Sequence, residues 1–215
     1  MIKSLFIASG LGWHNINFPD FSIEEGEFAF ILGPSGSGKS TLLKLLNGVL
    51  SADRGELLYK GIPADQWDPL TWRRQVLLAG QAVYLEMGTI ADNFAAFYAY
   101  RRLPCPSEAV MRAALDICCA SFALDARCEQ LSGGERQRVF LALVLSFASP
   151  VIMLDEPTSA LDSTAAGRLA DQLRGYCRQN KRTAVIVTHD LRLAEKYADK
   201  TIKLGCFDPG VSEPV

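Results

Sequence analysis

The stretch EFAFILGPSGSGKSTLLKLLNGVL, residues 27–50, decides the fold. Phe28 to Leu32 is a short apolar run of the kind that forms a strand buried on both faces. From Lys39 onward, Leu42, Leu43, Leu45, Leu46 and Val49 follow helical spacing. Between the two lies GPSGSGKST (33–41), which fits G-x-x-x-x-G-K-[S/T] in the context that gives it meaning, after a strand and opening a helix. Gly33, Gly36 and Gly38 let the backbone turn tightly, so that N–H groups point inward at phosphate oxygens. Pro34, Ser35, Ser37 and Thr41 complete the loop. The helix presents its positive end to the same anion. Lys39 can reach the β- and γ-phosphates, and the Ser40 hydroxyl can ligate Mg²⁺.

A second segment completes this chemistry. VIMLDE (151–156) is a central apolar strand that delivers Asp155 and Glu156 at its C-terminal end, where ligands bind in parallel sheets. Asp155 is placed to hold Mg²⁺ and Glu156 to act as general base on an attacking water. Around these, GELLYKG (55–61) and VLLAG (76–80) read as strands, and TAVIVTH (183–189) and KTIKLG (200–205) as two more. Helices are expected over 106–124 with Ser107 as N-cap, from Gly133 through Ala148, over 163–180, and over LRLAEKYA (191–198). The alternation predicts an α/β fold with a mostly parallel sheet. Residues 82–130 lack β-branched runs and read as a helical lobe. It is inserted into a core of residues 1–81 and 131–205, the whole forming one domain over 1–215. The tail FDPGVSEPV (207–215) is expected to be loose.

The bulk numbers exclude several classes. A formal net charge of −2 over 215 residues argues against a general nucleic-acid binder. The six cysteines form no C-x-x-C pair and there are two histidines, which argues against a zinc site and for reduced thiols in the cytosol. The opening MIKSLFIASGLG has no signal-peptide pattern. The richest apolar stretch, VFLALVLSFASPVIML (139–154), is interrupted by Pro150 and falls short of the ~20 apolar residues that span a bilayer.

Six features occur in one order: GPSGSGKST, Gln81, LSGGE (131–135), VIMLDE, SALD (159–162) and His189. In that order they resemble the ATP-binding subunit of ABC transporters, over about residues 5 to 204. The resemblance implies a P-loop ATPase core with an antiparallel β segment near the N-terminus and an inserted helical subdomain. It implies ATP and Mg²⁺ as ligands, and a homodimer paired head to tail. Leu131, Ser132, Gly133, Gly134 and Glu135 of one subunit would then cap the ATP held by the phosphate loop of the other. Physically, a helix opening at Gly133 offers a second anion-binding terminus. Gln81 is implied as the residue that senses Mg²⁺ and the attacking water, His189 as a contact to the γ-phosphate, and Asp162 as a contact to the opposite subunit. Trp13 is the candidate ring for stacking on adenine, and packing is its competing reading.

A transporter of this kind needs a separate integral membrane subunit. The expected docking surface is AVYLEMGTIADNFAAFYAYRR (82–102), where Tyr84, Phe94, Phe97, Tyr98 and Tyr100 precede Arg101 and Arg102; the competing reading is that these rings form the lobe's own core. The chain would sit on the cytoplasmic face of the membrane. The style of the sequence is similar to small two-component bacterial systems, including Fet-type iron exporters, so the implied cargo is a metal ion such as iron. The alternative is an ABC-type ATPase of a soluble assembly machine, such as iron–sulfur cluster assembly. A translation-factor or chromosome-structure ATPase is disfavoured by the single cassette and the lack of a coiled-coil insertion. A non-hydrolysing regulator is disfavoured by intact Lys39, Asp155, Glu156 and His189.

Overall fold

The computed structural model describes residues 4–205, so the tail expected to be loose and Cys206 lie outside the described residues. One sheet is parallel. Its strands are β4 (Phe28–Leu32), β7 (Val76–Ala79), β8 (Val151–Asp155), β9 (Thr183–Val187) and β10 (Lys200–Lys203), in the order β10-β4-β9-β8-β7. The other is antiparallel and built on β1 (Ser4–Trp13), with β2 (Ile16–Asn17), β3 (Phe21–Glu24), β5 (Arg54–Tyr59) and β6 (Ile62–Pro63).

The apolar runs of the parallel sheet divide by the two-residue period of a strand. Phe28, Phe30 and Leu32 of β4, with Ile152 and Leu154 of β8, enter one hydrophobic cluster. Ala29 and Ile31, with Val151 and Met153, enter another on the opposite face. The first cluster is covered by α3 (Ile90–Tyr100), α4 (Glu108–Ile117), α5 (Gly133–Ser146), α6 (Ser163–Gln179) and α7 (Leu191–Tyr197). The second is covered by α1 (Lys39–Leu46), by Trp72 of α2 (Pro69–Gln75) and by the antiparallel sheet. Leu42, Leu43, Leu45 and Leu46 of α1 are fully buried there, and each such side chain contributes roughly 1.5–3 kcal/mol. The helix carrying the phosphate-loop lysine is thereby fixed to the sheet.

One expectation is corrected here. The helix expected over 106–124 ends at Ile117, because Cys119 takes a left-handed backbone, φ +52°, that a helix cannot continue through. Ser107 occupies the N-cap position, but its side chain makes no capping hydrogen bond. In the 82–102 stretch, Phe94 and Tyr98 are one helical turn apart and face inward. The Tyr98 hydroxyl donates to the Ser146 carbonyl at 2.8 Å. Tyr84, Met87 and Tyr100 stand outside, while Arg101 lays its guanidinium 4.3 Å from the ring of Phe147.

Residues just before α3 are tied to those just before α5. Asn93, fully buried, accepts from the Glu86 N–H at 2.7 Å and donates to the Thr89 carbonyl at 3.0 Å. The Gly88 N–H donates to Glu129, and the Cys128 N–H to the Gly88 carbonyl. Among the described residues no helix is long and apolar enough to cross a membrane.

Candidate functional site

The C-terminal ends of β4, β8 and β9 open on one cleft of about 710 Å³. It is lined by Ser35, Gly36, Gly38, Lys39, Ser40 and Thr41 of the phosphate loop, with Gln81, Asp155, Glu156, His189 and Ile16. Residues from Ile16 to His189 are gathered there because adjacent parallel strands end side by side.

Gly38 caps α1 in the left-handed region, φ +88°. A Cβ there would lie 3.1 Å from Ile16 and 3.3 Å from Phe18, so the loop needs glycine both for its turn and for its neighbours. The Lys39 ammonium is tied back to the loop, donating to the carbonyls of Gly33 at 2.9 Å and Pro34 at 2.8 Å. Gly33 itself packs against Ser37, whose hydroxyl is buried. Gly33, Pro34 and Ser37 therefore form the back of the loop and not the cleft surface.

Opposite the loop, Glu156 follows β8 with φ +53°. That conformation costs a non-glycine residue roughly 1–3 kcal/mol and persists only where the surroundings enforce it. Here the Glu156 N–H donates to the Val187 carbonyl at 3.0 Å, and the Glu156 carbonyl accepts from Gln137 at 3.1 Å. The His189 imidazole Nδ1 lies 3.6 Å from the Glu156 carboxylate. A carboxylate, an imidazole, an ammonium and a hydroxyl thus share one open cleft, a set suited to phosphoryl transfer to water.

The 131–135 turn does not line this cleft. Ser132 caps α5 in a reciprocal box: the Ser132 N–H donates to the Glu135 carboxylate at 2.8 Å, and the Ser132 hydroxyl accepts from the Glu135 N–H at 3.4 Å. The N–H and then the hydroxyl of Ser132 hold the Glu135 carboxyl below the usual carboxylate range. Ser132 and Gly133 are exposed, Leu131 and Gly134 half-buried. The first-turn N–H groups of Gly133 and Gly134 have no acceptor within their own helix. Asp162 caps α6, accepting from the N–H groups of Thr164 and Ala165 at 2.9 Å each.

On the hairpin side the cleft wall is Ile16. Trp13 is its cross-strand neighbour, 3.9 Å from the His14 ring and against the flank of the second cluster, and it is not a lining residue. Sequence reasoning missed Ile16 and Gln137. For Ile16 no signal was available beyond its place after the His14–Asn15 turn. Gln137 was marked by being a polar residue at the apolar spacing of Phe140, Leu141 and Val144.

A glycine-rich loop opening a helix, facing two strand-end carboxylates across a cleft, defines a P-loop nucleotide-binding protein. The ABC transporter family profile matches residues 16–159, and this chain belongs to that family as an ATP-binding protein. It is 37% identical over 195 residues to the Escherichia coli protein named probable iron export ATP-binding protein FetA, covering 89% of this chain and 83% of that one. It is 35% identical over 193 residues to hemin import ATP-binding protein HmuV of Vibrio anguillarum, covering 86% and 74%. A dimeric bacterial ABC transporter cassette superposes with a TM-score of 0.77 at 27% identity, over 95% of this chain and 94% of that chain.

Proposed function

We propose that two copies of this chain pair head to tail around two ATP molecules, hydrolyse them, and drive a separate membrane subunit. One observation carries the reading: Lys39, Ser40, Gln81, Asp155, Glu156 and His189 meet in a single cleft, while the 131–135 turn of the same chain lies outside it. A second anion-binding helix end that does not face its own cleft is suited to a nucleotide held by a partner.

In this reading the loop from Gly33 to Thr41 wraps the phosphates, and Lys39 exchanges its two carbonyl partners for phosphate oxygens. Glu156 takes a proton from the attacking water, which Gln81 and His189 help to orient. Ser132, Gly133 and Gly134 of the partner close the γ-phosphate from the other side, and Asp162 borders that contact. The base lies toward the β1–β2 hairpin, with Ile16 at the wall and Trp13 beside it.

The donor set fits Mg²⁺. Ser40, Gln81 and Asp155 supply oxygen atoms on one cleft, and among the described residues no three His, Cys, Asp or Glu side chains gather into a cage. Mg²⁺ is commonly held by one or two protein oxygens with substrate phosphates and water, and there it neutralises developing charge.

In this reading the exposed rings of Tyr84 and Tyr100, with Met87, are the face offered to the membrane subunit, and the chain works on the cytoplasmic side of the membrane. The cargo reading is a metal ion such as iron, supported by the similarity to FetA. Relatives named for sulfate import reach 38% identity, so the membrane subunit has to be identified to test it.

The pairing is tested by mixing Lys39→Ala with Ser132→Arg chains. Each alone spoils both sites of a homodimer, whereas a mixed dimer keeps one phosphate loop and one opposing turn intact. ATP-dependent dimers and partial ATP turnover are expected only in the mixture. A mixture as inert as its components, beside an active wild type, would sink the head-to-tail arrangement.

A further inference from the structure

Gln137 lies on α5, one turn beyond the 131–135 turn, and is 7% exposed. A carboxamide so placed needs partners for its polar atoms. Its Nε2 donates to the Glu156 carbonyl oxygen at 3.1 Å and to the Ser159 hydroxyl at 3.4 Å. The Glu156 carbonyl can only accept, so it selects the amide nitrogen and fixes the orientation of the group. The other oxygen, Oε1, is buried without a partner, and the side chain borders a chamber of about 20 Å³ together with Gln81 and Asp155.

The bond falls on a sensitive peptide. Glu156 is the non-glycine residue of the cleft with a left-handed backbone. Val187 of β9 holds its N–H, and Gln137 of α5 holds its carbonyl. Rotation of that carbonyl would swing the carboxylate. The same helix is pressed to the same segment at a second point, where a Cβ on Gly134 would lie 2.9 Å from the Ala160 carbonyl oxygen. The start of α5 and residues 156–161 are therefore packed together at two points.

We propose that Gln137 is a positioning residue for Glu156, and that it makes the placement of that carboxylate depend on how the 131–135 turn is seated. The proposal rests on the head-to-tail reading. In that pairing the turn sits on the partner's ATP while Glu156 serves the ATP of its own chain. Gln137 then links the two nucleotide sites of the dimer.

Gln137→Met keeps length and volume and has no donor. Gln137→Glu keeps the shape and sets a carboxylate against the Glu156 carbonyl. Both are measured for kcat, KM for ATP, Hill coefficient and thermal midpoint, and for ATP-driven dimerisation in a Glu156→Gln background. A displaced carboxylate lowers kcat roughly ten- to hundredfold, since misplacement by about 1 Å costs about 10²-fold. KM and dimerisation should hold, because the phosphate loop is untouched, and the Hill coefficient should fall toward one. Wild-type kcat and Hill coefficient in either folded variant would overturn the proposal. So would a lowered midpoint with KM and dimerisation lost in parallel, which marks a merely structural residue. A wild-type chain that neither dimerises with ATP nor turns it over removes the head-to-tail reading itself, and the proposal with it.

Discussion

The two glycines of the 131–135 turn are adjacent in sequence and opposite in their surroundings, which makes them a sharp test of the packing described above. An Ala for Gly exchange inside a helix gains about 0.5–1 kcal/mol from the narrower unfolded ensemble. At Gly133 a Cβ meets nothing within 4 Å, so Gly133→Ala should collect that gain. At Gly134 the Cβ would stand 2.9 Å from the Ala160 carbonyl oxygen and 3.4 Å from Leu161. The oxygen belongs to the backbone and cannot step aside as a flexible side chain would. Overpacking of this kind costs about 1–3 kcal/mol, which leaves Gly134→Ala between level with the wild type and roughly 2.5 kcal/mol below it. The gain is common to both, so the two variants should differ by the overpacking cost, about 1–3 kcal/mol. With a urea slope of about 2 kcal/mol per molar, their midpoints separate by roughly 1 M. The assay is equilibrium unfolding in urea without nucleotide, followed by tryptophan fluorescence. If Gly134→Ala unfolds at or above the midpoint of Gly133→Ala, the close contact between α5 and the 160–161 segment is wrong. Gly133→Ala also separates folding from assembly: it should be a stable monomer that pairs poorly with ATP.

Two further outcomes are expected. Glu156→Gln should lower turnover by ~10²–10⁴-fold, as loss of a general base does, while ATP binding persists and a dimer accumulates on gel filtration; wild-type turnover would remove Glu156 from the chemistry. Partial burial pushes the Asp199 carboxyl up, but the Phe28 N–H and the Arg174 guanidinium outweigh it and hold it below the usual range. Its contribution to stability is full above the ordinary carboxylate range and is lost as pH falls through the lowered value. Asp199→Asn should therefore show a shallower acid limb in stability measured against pH, and an unchanged limb would refute the assignment.

The parts of the fold that could be read from sequence are those where one period dominates. β4, β8 and β9 are uninterrupted apolar runs because both of their faces are buried, and α1 and α6 carry helical spacing without competition. β1 was implied only by the resemblance and not legible in its own residues, because ten residues include Gly10 and Gly12, an irregular register between Ser9 and Gly12, and a burial pattern that does not alternate. α2 was missed although its signal was present: Asp68 accepts from the Thr71 N–H and Pro69 holds the first helical position. Composition pointed to the aromatic stretch at 84–100, but which rings turn inward depends on α5 lying alongside, and nothing local to the stretch says so. The cleft residues were legible because their chemistry comes in fixed patterns. Ile16 and Gln137 act through neighbours distant in sequence, and a pattern read along the chain does not contain those neighbours.

The partition of the hydrophobic interior into two clusters has a consequence for how many copies can join. α1 begins where β4 ends, and α5 runs back toward the start of β8, so both helices begin at the same edge of the parallel sheet. They lie against opposite faces of it. The 131–135 turn does not line the cleft that holds the phosphate loop, so in the proposed pairing it serves a nucleotide held by another chain. In the proposed head-to-tail pairing, a second chain turned by half a revolution sets each helix end opposite its counterpart. Both sockets are consumed in that one encounter and none is left over to recruit a third chain. If the chains pair in that way, growth into a filament is closed off and two chains take up two nucleotides, both consequences of where two helices stand on a sheet.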